Sequence, residues 1–155
     1  MDVSVLVVED DANNVLLLQI ALEDTHIACP VNFVSDGQQA LDYLAGKGQY
    51  ADRTKFPMPS LVLLDLKLPL VMGLDVLAWI RRQPSLLSLR VVIFSSSKDQ
   101  SDITRAHELG ADAYFVKPFS MAERRKVVKQ IDRRFLDPKS RPGRRAGRSA
   151  GNPRF

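Results

Sequence analysis

Cysteine, histidine and long apolar runs are all scarce in this 155-residue chain. Cys29 is the single cysteine, so no disulfide can form within the chain, and a cytoplasmic location is expected. No stretch reaches the ~18 uninterrupted apolar residues that a membrane helix needs, and the acidic start of the chain is unlike a signal peptide. His26 and His107 are interpreted as surface residues, which disfavours hydrolysis by a histidine-activated serine.

Charge is unevenly distributed along the chain. The formal net charge is +4, but residues 139–155 contain six basic residues and no acid, which leaves residues 1–138 at −2. The terminal segment is also rich in Gly, Pro and Ser, a composition typical of disorder. We therefore predict a domain at 1–136 and a basic tail at 137–155, with no DNA-binding domain. The tail leaves one alternative open, an adaptor in which it binds nucleic acid, anionic lipid or an acidic partner.

Apolar runs alternate with helical patterns along the domain. Three near-continuous apolar runs are typical of parallel strands that are covered on both faces. The alternation predicts an α/β fold, a doubly wound five-stranded parallel sheet with five helices. The connection 46–59, which contains Gly and Pro, is predicted to hold no regular element. The predicted strands are 3–8, 30–34, 61–64, 91–94 and 112–116, and the predicted helices are 12–24, 36–45, 73–83, 99–109 and 120–135.

Polar side chains follow four of the predicted strands at the point where each strand ends. Because the carboxyl ends of parallel strands meet at one edge of a sheet, we expect these side chains to lie close together. Asp11 is either a further acid of this group or the N-cap of the first helix. The other members are Glu9 and Asp10, then Asp65, Ser95 and Lys117.

Three neighbouring carboxylates repel one another unless a cation lies among them. Oxygen ligands without histidine or cysteine suit a hard ion such as Mg²⁺. Mg²⁺ together with Lys117 would balance the charges of Glu9, Asp10 and Asp65. A phosphoryl group on Asp65 would then meet a metal ion, an ammonium group and the Ser95 hydroxyl, which is the electrostatic environment that phosphoryl transfer requires.

These residues, in this order and with these intervening elements, resemble the receiver domain of two-component response regulators. The resemblance covers about residues 3–135 and implies the flavodoxin-like strand order 2-1-3-4-5. The connection 46–59 and the SSSKDQSDI run at 95–103 further resemble the small regulators that pair with bacterial phytochromes. The matching positions are Glu9, Asp10, Asp65, Pro69, Gly73, Ser95, Lys117 and Pro118.

The resemblance implies a phosphoacceptor and a Mg²⁺ site. Asp65 would accept the phosphoryl group from a phosphohistidine on a sensor histidine kinase. Asp10 would bind Mg²⁺ directly, Glu9 would hold it largely through water, and the backbone carbonyl of Lys67 would complete the protein ligands. Such a chain is a regulator rather than an enzyme, reset by slow hydrolysis of its own acyl phosphate.

The resemblance also implies a switch and an output surface. Ser95 would hydrogen-bond to the phosphoryl group, Lys117 would pair with it, and Tyr114 would swing inward as Ser95 moves. The fourth helix, fifth strand and fifth helix would form the output face, through which a homodimer could form. A histidine phosphotransfer protein is a second class of partner beside the kinase.

Some positions depart from the family pattern, and other families fit less well. Met72 stands where an Asp is frequent, Arg90 where a Pro is common, and Ser95 where Thr is more usual.

A flavodoxin would need a hydroxyl-rich phosphate loop after its first strand, where this chain has acids. A haloacid dehalogenase-type phosphatase would need a second Asp two positions after Asp65, where Lys67 stands.

Overall fold

A computed structural model describes residues 3–137 as five parallel strands alternating with five α-helices. The strand order in the sheet is β2-β1-β3-β4-β5, which confirms the predicted doubly wound α/β architecture. The strands are β1 (Val5–Val8), β2 (Val31–Val34), β3 (Leu61–Leu64), β4 (Arg90–Ser95) and β5 (Ala113–Val116). The helices are α1 (Ala12–Asp24), α2 (Gly37–Ala45), α3 (Gly73–Arg82), α4 (Gln100–Glu108) and α5 (Met121–Ile131).

The strand register determines which side chains meet at the carboxyl edge. In the centre of the sheet Val8 pairs with Leu64, so the next residue of each strand, an acid in both cases, emerges side by side. Towards the edge Ser95 pairs with Val116, which places the following lysine beside the end of β4. The register therefore gathers the polar residues that follow the strands.

The sheet is covered on both faces, and each face has its own hydrophobic core. Leu6, Val62 and Ile93 point to the core that includes α2 and α3, while Leu61 and Val92 point to the core that includes α1 and α5. All five side chains are fully buried. Burial on both faces explains why these strands read as continuous apolar runs rather than as an alternation.

Local capping accounts for several helix ends. The Asp11 carboxylate accepts hydrogen bonds from the backbone N–H groups of Asn13 and Asn14, so Asp11 is the N-cap of α1. Ser120 caps α5 through the N–H of Glu123. Gly110 follows α4 in the left-handed region, with φ of 99°, as expected of a glycine after a helix.

The prediction that the connection 46–59 holds no regular element is wrong, because the segment contains a 3₁₀ turn. A 3₁₀ turn spans Gly48–Ala51, and the Tyr50 ring packs against Tyr43 and Phe56 at ring-centroid distances of 5.1 and 5.0 Å. Arg53 donates hydrogen bonds to the carbonyls of Tyr43 and Phe56. Aromatic packing and these hydrogen bonds order a segment whose composition predicts no regular structure.

The last predicted helix is shorter than its sequence pattern indicates. Regular α5 ends at Ile131, and a π-helical turn, Asp132–Leu136, continues the chain and buries Phe135. A further 3₁₀ turn covers Pro84–Leu86. The predicted tail lies outside the described residues except for Asp137. Within 3–137, no helix has the length and apolarity that crossing a membrane requires.

A buried ion pair closes the end of the sheet opposite the carboxyl edge. Arg81 pairs with Asp112 at 3.1 Å, and its guanidinium also donates to the carbonyls of Gly110 and Leu89. Asp112 additionally accepts the backbone N–H of Val91 at 2.9 Å. The pair thus connects α3 to β4 and β5, with little solvent access to either side chain.

Replacing Asp112 with alanine is expected to lower the free energy of unfolding by about 3–5 kcal/mol, because it leaves a buried guanidinium without its counter-charge. Urea denaturation followed by circular dichroism measures this value. The matched control is Glu108→Ala, which removes an exposed ion pair with Arg105. The control should cost less than about 1 kcal/mol, and equal losses in the two variants would contradict the role of the buried pair.

Candidate functional site

Three carboxylates meet at the carboxyl edge of the sheet. Glu9 and Asp10 follow β1 and Asp65 follows β3, and carboxylate oxygens of all three lie within 4.8 Å of one another. Glu9 is 6% exposed and Asp65 8%, whereas Asp10 faces solvent. The group is therefore open on one side only, where a small ion can approach.

Lys117 lies between two of these acids. Its ammonium group donates a hydrogen bond to Asp65 Oδ2 at 2.9 Å and another to Glu9 Oε1. The lysine itself is held in place because its backbone N–H donates to the Ser95 carbonyl at 2.8 Å. Lys117 thus joins residues from the ends of β1, β3 and β5 in one charged cluster.

Burial and charge shift the pKa values of this cluster. Burial raises the pKa of Glu9, and the negative charge of Asp65 raises it further, while the hydrogen bond from Lys117 acts in the opposite direction. Burial alone would lower the pKa of Lys117, but its hydrogen bonds to Glu9 and Asp65, with their charges, outweigh this and raise it. The lysine is therefore a permanent cation of the site.

The backbone around Asp65 is tightly packed. Asp65 Oδ1 accepts the N–H of Leu66 at 2.7 Å, which fixes the carboxylate relative to its own chain. At Gly73, the first residue of α3, a Cβ atom would lie 2.1 Å from the Asp65 carbonyl oxygen. Only glycine allows the start of α3 to approach the end of β3 this closely.

Ser95 and Tyr114 lie on the β4 side of the site. Ser95 is fully buried, and its Oγ accepts the N–H of Ser97 at 3.2 Å. The ring of Tyr114 packs against the core, and its hydroxyl donates to the Ser97 carbonyl at 2.9 Å. Burial raises the pKa of the Tyr114 hydroxyl. A hydrogen-bonded path thus leads from Ser95 through the β4–α4 turn to Tyr114.

The side chains of three other residues considered in the sequence lie outside the acidic cluster. Lys67 is two residues beyond Asp65, and its side chain is exposed. His26 follows the C-terminal end of α1, and Cys29 is half-buried against the core beneath α1 and α5. Neither belongs to the acidic cluster.

Two contributors to the site had not been singled out from the sequence. Ser97 is one, since its carbonyl holds the Tyr114 hydroxyl. The other is Arg124 of α5, which is 4% exposed and donates to the carbonyl of Pro118 at 3.1 Å. A serine in a turn and an arginine in a basic helix carry no sequence signal that separates them from surface residues.

The donor set fits a hard divalent cation. Glu9, Asp10 and Asp65 offer carboxylate oxygens, and the described residues bring no histidine or cysteine into the cluster. Mg²⁺ prefers a few carboxylate oxygens with the rest of its coordination supplied by water and carbonyls. The exposed position of Asp10 leaves room for that water.

Comparison with known proteins identifies relatives over most of the chain. Residues 5–129 match the family model described as "Response regulator receiver domain". The chain is similar to the response regulator Rcp1 of Synechocystis, with 31% identity over 89% of this chain and 92% of the relative. A probable methanogenesis regulatory protein, FilR2 of Methanothrix harundinacea, is 32% identical over 90% of this chain and 87% of its own length.

Solved structures agree with this result. The phosphorylated cyanobacterial phytochrome response regulator RcpA superposes with a TM-score of 0.81 at 33% identity, covering 88% of this chain and 96% of that one. The Mn²⁺-bound form of Rcp1 superposes with a TM-score of 0.79 at 31% identity, covering 90% of this chain and 99% of that one.

Divalent-metal affinity is expected to depend on all three acids and to fall as the pH is lowered. Glu9→Gln and Asp10→Asn should each weaken Mn²⁺ binding by at least about tenfold, because each removes a negative charge from the metal site. Protons compete with metal for a carboxylate. Since the pKa of Glu9 is raised above 4.5, this competition begins at a higher pH than for an exposed glutamate.

Titration of Mn²⁺ followed by electron paramagnetic resonance across the acidic pH range measures both effects. In the Glu9→Gln variant, the Mn²⁺ affinity should lose the part of its pH dependence that comes from the raised pKa of Glu9. Asp24→Asn, at the far end of α1, is the control and should bind Mn²⁺ as the unaltered protein does. Affinity that is indifferent to Glu9 and Asp10 would contradict this metal site.

Proposed function

The chain belongs to the response regulator receiver domain family, phosphoacceptors of two-component signalling, and on that premise we propose that Asp65 is the residue that accepts the phosphoryl group. One observation carries the assignment. Glu9 and Asp65 both belong to the acidic cluster and contact the Lys117 ammonium, and Asp65 is the one of the two that follows the central strand β3. Its carboxylate also accepts the N–H of Leu66, and its backbone carbonyl lies where only a glycine at position 73 fits.

The transfer that we propose is a displacement at phosphorus. A carboxylate oxygen of Asp65 attacks the phosphorus atom of a phosphohistidine, the new O–P bond forms, and the N–P bond to the imidazole breaks. The Lys117 ammonium, already 2.9 Å from Asp65, stabilises the negative charge on the transferred oxygens. The Ser95 hydroxyl would donate a hydrogen bond to one of these oxygens, while its oxygen could still accept the N–H of Ser97.

The cofactor that we propose is Mg²⁺, held by Asp10 and Asp65 directly, by Glu9 largely through water, and by the carbonyl of Lys67. When bound, the ion would neutralise charge on the phosphoryl oxygens and so lower the barrier to transfer. The cluster of three carboxylates supports this, and so does the Mn²⁺-bound form of the relative Rcp1. Slow hydrolysis of the acyl phosphate would reset the protein, which would act as a regulator rather than as an enzyme.

The switch that we propose links Ser95 to the surface formed by α4, β5 and α5. A movement of Ser95 towards the phosphoryl group would pull on the turn that contains Ser97, whose carbonyl holds the Tyr114 hydroxyl. The position of the Tyr114 ring would therefore report the state of Asp65. Output would follow by protein–protein contact on this face, including a homodimer.

The partner that we propose is a sensor histidine kinase, with a histidine phosphotransfer protein as the second class. Receiver domains take phosphoryl groups from histidine kinases. The similarity to a cyanobacterial phytochrome response regulator supports a phytochrome-type kinase. The signalling would take place in the cytoplasm, where kinases of this type carry their phosphohistidine. The proposed domain boundary is residue 136, where the π-helical turn ends.

Incubation with Mg²⁺ and a small phosphodonor such as phosphoramidate is expected to add one phosphoryl group per chain. Asp65→Asn should abolish this gain, because the amide is a far weaker nucleophile than the carboxylate. Intact-protein mass spectrometry at intervals measures both the extent and the rate. The control variant Asp24→Asn should be phosphorylated at the unaltered rate. A phosphoryl group that survives Asp65→Asn or removal of Mg²⁺ by a chelator would disprove the assignment.

A further inference from the structure

Arg124 is a buried arginine on α5 that has no acidic partner among the residues that the structure describes. Its Nη2 donates to the Pro118 carbonyl at 3.1 Å, and its guanidinium carbon lies 5.7 Å from the ring centroid of Phe94. Its Nη1 is buried and has no hydrogen-bond acceptor among residues 3–137. The same part of the chain shows no ion pair for it within 4 Å, in contrast to the buried Arg81, which contacts Asp112.

Such an environment is unfavourable for a cation. A buried charge normally has a counter-charge or a full set of hydrogen bonds. Burial lowers the pKa of Arg124, although a guanidinium remains protonated in proteins. Packing alone does not explain the position, because a leucine or methionine would fill a site between α5 and β4 without this cost.

The contacts of Arg124 lead to the acidic site from two directions. Pro118 directly follows Lys117, so the hydrogen bond to its carbonyl holds the turn that carries the ammonium group. Phe94 directly precedes Ser95, and its ring lines a cavity of about 10 Å³ that Glu9 and Asp65 also line. The guanidinium therefore contacts both segments that deliver polar groups to Asp65.

The guanidinium also contributes charge. The negative charge of Glu9 acts to raise the pKa of Arg124, against the larger lowering by burial. In a buried setting, such an interaction is weakly screened by salt. Two cations therefore accompany the acids: Lys117 contacts Glu9 and Asp65 directly, and Arg124 holds the residue that follows Lys117.

We propose that Arg124 is a positioning residue for the proposed phosphoryl transfer. Its guanidinium fixes the Lys117–Pro118 turn, so that the ammonium stays on Asp65, and it supplies a second, fixed positive charge to the site. This inference rests on the proposed function of Asp65. It assigns Arg124 no contact with the phosphoryl group.

The two parts of this role predict opposite changes in one variant. Arg124→Met keeps much of the side-chain volume but removes the charge and the hydrogen bond to Pro118. Loss of a repelling cation should strengthen Mn²⁺ binding roughly two- to fivefold. Loss of the fixed turn should slow phosphorylation at saturating Mg²⁺ about tenfold, since catalytic groups are sensitive to small displacements. A loosened fold would instead weaken both.

The experiment compares four proteins: the unaltered chain, Arg124→Met, Arg124→Lys and Arg125→Met. Mn²⁺ affinity, the phosphorylation rate with phosphoramidate and the melting temperature are measured for each. Arg124→Lys keeps the charge, so its metal affinity should stay within about twofold of the unaltered value, while its rate falls because the ammonium lacks the planar fork of a guanidinium. Arg125→Met, which removes a surface pair with Asp24, should change neither quantity.

The outcomes separate this inference from the proposed function. Tighter Mn²⁺ binding together with slower phosphorylation in Arg124→Met supports the positioning role. An unchanged rate in that variant, or parallel losses of affinity and rate that follow a lowered melting temperature, overturns it. If the unaltered protein takes up no phosphoryl group at all, the proposed function itself fails, whereas normal phosphorylation in both proteins overturns only the role of Arg124.

Discussion

The contact of one ammonium group with two buried carboxylates is the interaction on which the site depends. Lys117 reaches Glu9 and Asp65 from the end of β5, although these acids follow β1 and β3. Without this cation, two buried negative charges would face each other at the centre of the sheet, and one of them would take up a proton. With it, both acids can remain charged and available to a metal ion.

That contact is possible because the backbone is placed with little freedom. The pairing of Val8 with Leu64 puts the two acids side by side, and the pairing of Ser95 with Val116 aligns the lysine with the end of β4. A slip of one strand by one residue would exchange the side chains that pack in the two hydrophobic cores, and it would also move the polar residues at the strand ends out of alignment. The apolar interior and the charged edge are therefore parts of one arrangement.

The sequence was sufficient to predict the five strands, the five helices and the meeting of the polar strand ends, because these follow from periodicity and from the geometry of parallel sheets. The regular structure within the segment 46–59 was not predictable from the sequence. It arises from packing of Phe56 against Tyr43 and from the hydrogen bond of Arg53 to the Tyr43 carbonyl. Burial of Arg124 was hidden for a similar reason. Helix α5 carries four basic residues, and only the tertiary structure shows which one of them faces inward.

The most direct test of the account is a crystal structure of the protein with Mg²⁺ and beryllofluoride, a mimic of an acyl phosphate. The account predicts beryllium bonded to a carboxylate oxygen of Asp65, the metal ion in contact with Asp10, and the Lys117 ammonium on a fluorine atom. Beryllofluoride at another residue, or a bound metal ion that leaves Asp65 without a ligand, would contradict it.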